Sequence, residues 1–263
     1  MSVERIALRQ QRDLGQIIET AFSLYFQNFW RFFSIAAVLI PFGILTSVLI
    51  VLLPALADPA DEEELARTLV IVLAVLLPIA LLQAIAQWLA SLAIMAAVAD
   101  LDAERAPELS HAMRQRGPDF SRAYGVVFTR LWTLVGASLR AGFHIFLFSI
   151  TIIGIPWAIQ RLVRWLFIHQ AVIFDGTSAR AALSYSADAV AGRWWRTLGM
   201  AIILWIIVQV PASVIGGFVG FAPVLIAGTA SAVVTAAILP IGVIAMTLLY
   251  LDLKARRETD VSP

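Results

Sequence analysis

Residues 68–99 read TLVIVLAVLLPIALLQAIAQWLASLAIMAAVA, a run of 32 residues without one charged side chain. About 20 apolar residues in a helix are enough to cross the ~30 Å hydrocarbon layer of a bilayer. A run this long exceeds a single crossing, so its helix is expected to tilt or to protrude. The stretch predicts that the chain spans a membrane.

The composition of the whole chain agrees with that prediction. Of its 263 residues, 60% are apolar and 14% are charged, whereas a soluble domain usually carries about 25% charged residues. The net charge of +1 gives no reason to expect a nucleic-acid partner. The chain has no cysteine, which excludes disulfides, thiolate metal sites and a cysteine nucleophile.

Further apolar runs predict an all-α, polytopic transmembrane helical bundle. The six predicted spans are 32–57, 68–99, 131–153, 156–174, 197–219 and 222–251. The third and fourth spans come from one long run that Gly154-Ile155-Pro156 interrupts, and Gly and Pro mark turns. The spans form one domain, 32–251, between an N-terminal segment, 1–31, and a tail, 252–263.

The distribution of arginine predicts the orientation of the spans. Outside the predicted spans, every basic residue except Arg67 lies in segment 1–31, in the loops 100–130 and 175–196, or in the tail. An even number of spans places these four segments on one side, and the acidic segment 58–67 lies on the other. Cytoplasmic loops are enriched in Lys and Arg. We therefore expect a multi-pass protein of the cell inner membrane with both termini in the cytoplasm.

Each pair of predicted spans follows a segment with an amphipathic pattern. The first begins at Leu14, where Asp13 and Gln16 stand at the positions of a capping box. The second is Ser110–Arg116, and the third runs from a cap at Thr177 or Ser178 to about Ala191, with Gly192 closing it. We predict that these helices lie in the cytoplasmic interface.

The recurrence of one amphipathic helix and two spans is compatible with a threefold internal repeat. Phe29-Trp30-Arg31 and Trp194-Trp195-Arg196 occupy similar places in the first and third units. Alternatively, aromatic residues before an arginine are what any cytoplasmic interface shows. A separate small-residue pattern, Gly216 to Gly220, predicts close packing of the fifth span against another helix.

Three motifs carry a family resemblance. They are LGQII followed by AFSLYFQNF (14–29), AALSYS (181–186) and LYLDLKARRE (249–258). Together they resemble a bacterial six-span membrane family that includes the membrane domain of some glycerophosphodiester phosphodiesterases. The chain departs from that family at Asp175-Gly176, where Asp stands in place of the commoner Glu before the glycine. The resemblance implies an inner-membrane protein. In that family, catalysis belongs to an attached soluble domain, which is not expected here because the sequence ends at Pro263.

Five cationic or titratable residues interrupt the third and fourth predicted spans, and they form the candidate site: Arg140, His144, Arg161, Arg164 and His169. An arginine at the centre of a bilayer costs about 2.5–3.5 kcal/mol, so such residues usually face protein or water. If the hairpin turns near Gly154, residues whose numbers sum to about 308 lie at equal depth. His144 then lies opposite Arg164, and Arg140 lies near His169.

The spans supply no acidic partner for these residues, which indicates an anion ligand such as a lipid phosphate. The alternative is a structural role: Arg161 snorkels to the headgroups, or Arg164 bonds to carbonyls near Pro156 or to Gln83 and Gln87. The three histidines lack metal-ligand spacing, and no catalytic motif is present. We expect no metal and no cofactor.

Two functions stay open at this point. The first is a non-enzymatic integral membrane protein, a scaffold or accessory in envelope or lipid physiology, with membrane lipids as partners. The second is a transporter or channel for an anion or a lipid that uses the cationic cluster. A cavity that reaches Arg164 would favour the transporter, and a filled bundle would favour the accessory protein.

Overall fold

A computed structural model describes residues 8–56, 62–104 and 119–261 of the protein. These residues form α-helices and no strand. The helices are α1 (Leu14–Gln27), α2 (Phe29–Ala36), α3 (Leu39–Leu56), α4 (Glu62–Glu104), α5 (Asp119–Thr129), α6 (Leu131–Ser149), α7 (Ile155–Arg164), α8 (Ile168–Asp175), α9 (Ala179–Val190), α10 (Trp194–Val219) and α11 (Val224–Val261), with a 3₁₀ turn at Ile152–Gly154. The predicted all-α polytopic bundle is confirmed. The predicted amphipathic helix Ser110–Arg116 lies outside the described residues.

Among the described residues, four helices are long and apolar enough to cross a membrane. They are α4, α6, α10 and α11, and α2 with α3 makes a fifth if this pair, bent by 42°, counts as one span. These helices correspond to five of the six predicted spans. Because α4 has 43 residues, it exceeds one crossing as predicted.

The fourth predicted span, 156–174, differs from the structure. It consists of α7 and α8, which have 10 and 8 residues and are separated at Trp165–Phe167. Each is shorter than one crossing requires. Trp165 and Phe167 leave helical geometry, with φ/ψ of −106°/15° and −110°/22°, so the hydrogen-bond ladder stops and starts again.

The predicted interfacial helices α1 and α9 are present with their predicted caps. Asp13 and Gln16 form the reciprocal capping box of α1. Ser178 caps α9 through a bond from the Ala181 N–H, and Gly192 follows the helix with φ of +75°. A non-glycine residue would be strained at that φ.

The packed core lies at one end of the bundle. In α4 the continuous buried stretch begins at Leu92, and in α11 the largely buried stretch begins at Val243, whereas the other halves of both helices expose apolar side chains. Arg196 and Lys254 form ion pairs at the packed end, which we call the basic end. Exposed leucines and isoleucines at the far end are the surface that a hydrocarbon solvent requires.

Three helix junctions share one geometry. Each has a single residue before a span-length segment: Asn28 before α2, Arg130 before α6 and Arg193 before α10. Their φ/ψ values are −124°/33°, −111°/10° and −128°/25°. The second residue after each junction is a tryptophan, and these tryptophans are highly exposed: Trp30 at 76%, Trp132 at 84% and Trp195 at 79%.

Burial follows the same spacing in the three units. The positions 4, 7 and 11 residues after each junction are buried: Phe32, Ile35 and Leu39; Leu134, Ala137 and Ala141; Thr197, Met200 and Leu204. This spacing places the three residues on one helix face. The shared junction, tryptophan and buried positions favour the threefold repeat over the alternative of an ordinary interface pattern.

Helices α3 and α11 approach each other closely at two glycines. A Cβ built on Gly43 would lie 2.3 Å from the Ala232 Cβ, and one built on Gly228 would lie 1.7 Å from the Ser47 Oγ. Glycine is therefore required at both positions. The packing predicted for Gly216 and Gly220 is not observed between the described helices. A Cβ at Gly216 meets no neighbour within 4 Å, and one at Gly220 meets only carbonyl oxygens of its own helix, α10.

Candidate functional site

The predicted register of the α6–α8 hairpin is confirmed. The Ser138 Oγ lies 2.9 Å from the His169 Nε2, and the ring centroids of His144 and Trp165 are 5.6 Å apart. The residue numbers of these pairs sum to 307 and 309. At the tip, a Cβ on Gly154 would lie 2.0 Å from the Phe148 carbonyl oxygen, so only glycine permits this turn.

The five candidate residues do not form one cluster. Arg161 and His144 meet through Trp165, whose ring centroid is 5.3 Å from the Arg161 guanidinium carbon. His169 contacts Ser138 and Trp88 instead. The two helices are in register, but the side chains leave the hairpin in different directions.

Arg140 and Arg164 complete the candidate set. The Arg140 Nη1 donates to the Gly136 carbonyl at 3.1 Å, and the Arg140 carbonyl lies 2.7 Å from the His144 Nδ1. The structure does not bring Arg140 to His169. In the described chain no carboxylate lies within ion-pair distance of Arg140, Arg161 or Arg164.

The break between α7 and α8 is closed by a side chain from α9. The Ser186 Oγ donates to the Arg164 carbonyl at 2.8 Å and accepts from the Phe167 N–H at 3.1 Å. Ser186 is fully buried. It is the last residue of the AALSYS motif, so the motif marks a contact that fixes α9 to the hairpin.

Two tyrosines donate to backbone carbonyls of other helices, one near a proline and one at a helix end. The Tyr25 hydroxyl donates to the Ala237 carbonyl at 2.7 Å, three residues before Pro240 in α11. The Tyr124 hydroxyl donates to the Ile35 carbonyl at 3.0 Å, where α2 ends. Burial raises the pKa of Tyr25, and it raises the pKa of Tyr124 to about 12. Both hydroxyls therefore stay protonated donors at physiological pH.

A buried carboxylate organises the basic end. Asp252, fully buried, accepts hydrogen bonds from the Arg12 backbone N–H at 2.6 Å, from the Arg196 Nη1 at 2.7 Å and from the Arg256 Nε at 2.9 Å. Both guanidiniums also donate to the Arg12 carbonyl, at 3.0 and 2.9 Å. We call these four residues the Asp252 network. It fixes the backbone N–H and the backbone carbonyl of Arg12 to α10 and α11.

Two other carboxylates at the ends of helices have basic partners. Asp175, which ends α8, accepts from the Tyr250 hydroxyl and the Lys254 ammonium. The Arg9 Nε lies 2.8 Å from the Asp102 carboxylate, and this hydrogen bond raises the pKa of Arg9.

The motifs of the basic end are recognisable in the sequence, but the contacts that their residues make are not. Asp252, Lys254 and Arg256 belong to the LYLDLKARRE motif, and Asp175 belongs to the Asp-Gly motif. The available signal was the carboxylate of Asp252 beside Leu251 and Leu253 at the end of an apolar run. A buried carboxylate needs a cationic partner, but spacing alone does not identify that partner.

A cavity of about 750 Å³ lies between α10, α11, α7 and Gln87 of α4. Its lining is mostly apolar and contains no charged residue, and it follows α10 from Leu198 to Gly216, about 27 Å at 1.5 Å per residue. Its polar residues are uncharged: Gln87, Gln209, Ser231 and Thr235. None of the five candidate residues lines it. Ligand sites in proteins have this size and this combination of apolar walls with a few polar groups.

Comparison with known proteins supplies no relative from which a function could be transferred. No protein-family model matches the chain, and no match is found among curated proteins or solved structures.

Proposed function

We propose that this protein is a non-enzymatic membrane protein that holds a lipid in the cavity along α10 and α11, as an accessory component of envelope or lipid physiology. The observation that carries the proposal is the cavity itself. Its walls are apolar and uncharged, and it lies along two helices long enough to span the bilayer. Lipid acyl chains are the apolar molecules that such helices meet.

The lining also indicates how the lipid lies. Ser231 and Thr235 are 7 and 11 residues from the start of α11, about 10 and 16 Å along the helix. The apolar part of the lining, with Leu198 and Met246, lies nearer the basic end. We propose that the ester oxygens contact Ser231 and Thr235, and that the acyl chain points towards the basic end.

The same proposal includes the orientation and the family. Enrichment of arginine at the basic end supports a cytoplasmic location of that end, in a bacterial inner membrane, with both termini inside. The sequence motifs support membership of the six-span family that includes phosphodiesterase membrane domains. Neither condition set from the sequence is met, because the bundle contains a cavity and Arg164 is absent from its lining. A transporter that uses the five candidate residues has less support, because none of them lines this cavity.

Filling the cavity tests the function. A Cβ at Gly216 meets no neighbour within 4 Å, and Gly216 lines the cavity, so a leucine there enters the space of the lipid without a clash. Excluding two methylene groups at about 0.8 kcal/mol each predicts a roughly tenfold loss of affinity. The measurement is lipid retained per protein after mild detergent exchange, read by native mass spectrometry.

The adjacent glycine is the matched control. Gly217 has equally open surroundings but does not line the cavity. We expect Gly217→Leu to retain lipid like the parent protein and Gly216→Leu to lose it, with equal thermal stability. Equal retention by both variants would rule out this cavity as the lipid site.

A further inference from the structure

The α6–α7 hairpin lies beside the interfacial helix α9. A Cβ on Gly136 of α6 would lie 3.4 Å from the Ala179 Cβ, where α9 begins. Two turns later, Ser186 contacts the Arg164 carbonyl, and after α9 the Trp194 Nε1 lies 3.5 Å from the Gln160 carbonyl. The hairpin therefore runs alongside α9 for the full length of that helix.

The position of α9 sets the depth of the hairpin. Asp175, at the end of α8 just before α9, binds Lys254, and Asp188 near the end of α9 lies 4.0 Å from Arg257. Because Lys254 and Arg257 belong to the basic end, α9 lies there as well. Gln160 meets Trp194, which is two residues from Arg196 of the Asp252 network. These contacts hold α7 in the half of the bundle nearer the basic end, although α6 alone is long enough to cross a membrane.

We infer that the α6–α7 hairpin is re-entrant: it enters and leaves the membrane at the basic end, and Arg140, Arg161 and Arg164 bind the phosphates of anionic lipids in the leaflet at that end. This inference does not depend on the cavity. It assigns a partner to the three cations, which lack a carboxylate partner in the described chain, whereas a crossing hairpin would place Arg161 and Arg164 in hydrocarbon.

The amphipathic pattern of α7 supports this depth. Leu162 and Val163 of α7 face the cavity. At about 100° per residue, Arg161 and Arg164 fall on the opposite side. A short helix with a basic face and an apolar face belongs in the interface, with its charges among the headgroups.

The tip of the hairpin is apolar and exposed. Ile150, Ile152 and Ile153 are 63%, 87% and 78% exposed. Water is a poor solvent for three such side chains together. The tip therefore enters the hydrocarbon, while the arginines stay at the level of the headgroups.

The absence of cysteine allows a direct measurement of depth. A nitroxide on Ile152→Cys in the reconstituted protein should collide with oxygen and not with a water-soluble nickel chelate added on either side. The references are Phe221→Cys, in the exposed turn between α10 and α11, and Glu258→Cys at the basic end. Collision of the Ile152 label with chelate added only on the side that reaches Phe221 would overturn the re-entrant hairpin.

A lipid assay tests the headgroup partner. The probe is phosphatidylglycerol against phosphatidylcholine in nanodiscs, with bound lipid read by native mass spectrometry. Arg161→Gln/Arg164→Gln should lose roughly fivefold in preference for phosphatidylglycerol per arginine removed. The control is Arg257→Gln, a half-exposed cation on the aqueous end of α11, which should keep the preference.

Two further arms separate the explanations. Arg161→Lys/Arg164→Lys keeps the charges and should keep the preference, even if the glutamine variant folds poorly. Excess inorganic phosphate should not displace the lipid. Loss of the preference in the lysine variant, an unchanged preference in the glutamine variant, or displacement by phosphate would each overturn the lipid-phosphate assignment. Gly216→Leu lowers retention of lipid whatever its headgroup, so failure of the cavity proposal is distinguishable.

Discussion

Several side chains in the described chain bond to backbone groups where a helix breaks, ends or approaches a proline. Ser186, Tyr25 and Tyr124 donate to carbonyls at such points, and the Arg130 Nη1 donates to Val172 and Ile173 at the end of α8. A buried carbonyl without a partner is costly, and more so in a membrane, where water is scarce. These side chains explain how irregular backbone persists inside an apolar bundle.

Removal of the Ser186 hydroxyl should destabilise the protein. Ser186→Ala leaves the Arg164 carbonyl and the Phe167 N–H without their partner, which costs about 1–3 kcal/mol for a buried group. Ser184→Ala is the control, because the Ser184 hydroxyl is exposed and bonds only within α9. Thermal unfolding in nanodiscs measures the difference, and equal midpoints for the two variants would contradict the prediction.

The Asp252 network predicts a larger effect at another single residue. Asp252→Asn leaves two guanidiniums facing a neutral group, and loss of one partner of a buried ion pair costs about 3–5 kcal/mol. Asp188→Asn, which removes an exposed pair at 4.0 Å, should change stability by less than about 1 kcal/mol. Comparable losses in both variants, measured by thermal unfolding, would show that the network is not a stabilising centre.

Residues were predictable from sequence only where their partners are local. The Asp13–Gln16 capping box, the Ser178 cap and the hairpin register follow from spacing along one segment. The Arg12–Asp252 contact joins residues 240 apart, and no spacing rule identifies such a pair. The sequence also did not show that the five candidate residues lie apart. Their positions depend on how each helix is rotated about its own axis, and spacing within one segment does not give that rotation.

At the scale of elements, small residues determine which helices approach each other. Gly43 and Ser47 on α3 face Gly228 and Ala232 on α11, and both pairs have the small-xxx-small spacing that permits close contact. From the sequence, close packing is predicted only for Gly216 and Gly220, whose spacing is the same. Spacing indicates a face that can approach a helix, but the neighbouring helix is set by the fold.

A methyl group at this contact should separate α3 from α11. Gly228→Ala would place its Cβ against the Ser47 side chain, and such overpacking typically costs about 1–3 kcal/mol. Gly217→Ala, in open surroundings, should be close to neutral. The double variant Gly228→Ala/Ser47→Gly should recover part of the loss in a thermal unfolding assay, and failure to recover any would place the strain elsewhere.

At the scale of the whole molecule, the three similar junctions predict a common level in the bilayer. Trp30, Trp132 and Trp195 are exposed and equivalent in the three units. Tryptophan is enriched where hydrocarbon meets headgroups. The first and third tryptophans belong to a pattern that is visible in the sequence, because an arginine follows each of them. The second is followed by Thr133, which weakens the pattern.

Equal depth of the three tryptophans is the corresponding prediction. Nitroxides introduced one at a time at positions 30, 132 and 195 should give the same depth from oxygen and nickel-chelate collision rates, at the hydrocarbon–headgroup boundary. A label that differs from the other two by half a leaflet would show that the units do not share one membrane level.

The clamp on the Arg12 peptide has a consequence for biosynthesis. Translation proceeds from the N-terminus, and the side chains that bind the backbone of Arg12, on Arg196, Asp252 and Arg256, are made 184, 240 and 244 residues later. The N-terminal segment before α1 therefore cannot make its contacts with the Asp252 network until α11 has been synthesised. A chain interrupted before Asp252 would keep that peptide unbound, which gives quality-control proteases a marker of incomplete synthesis.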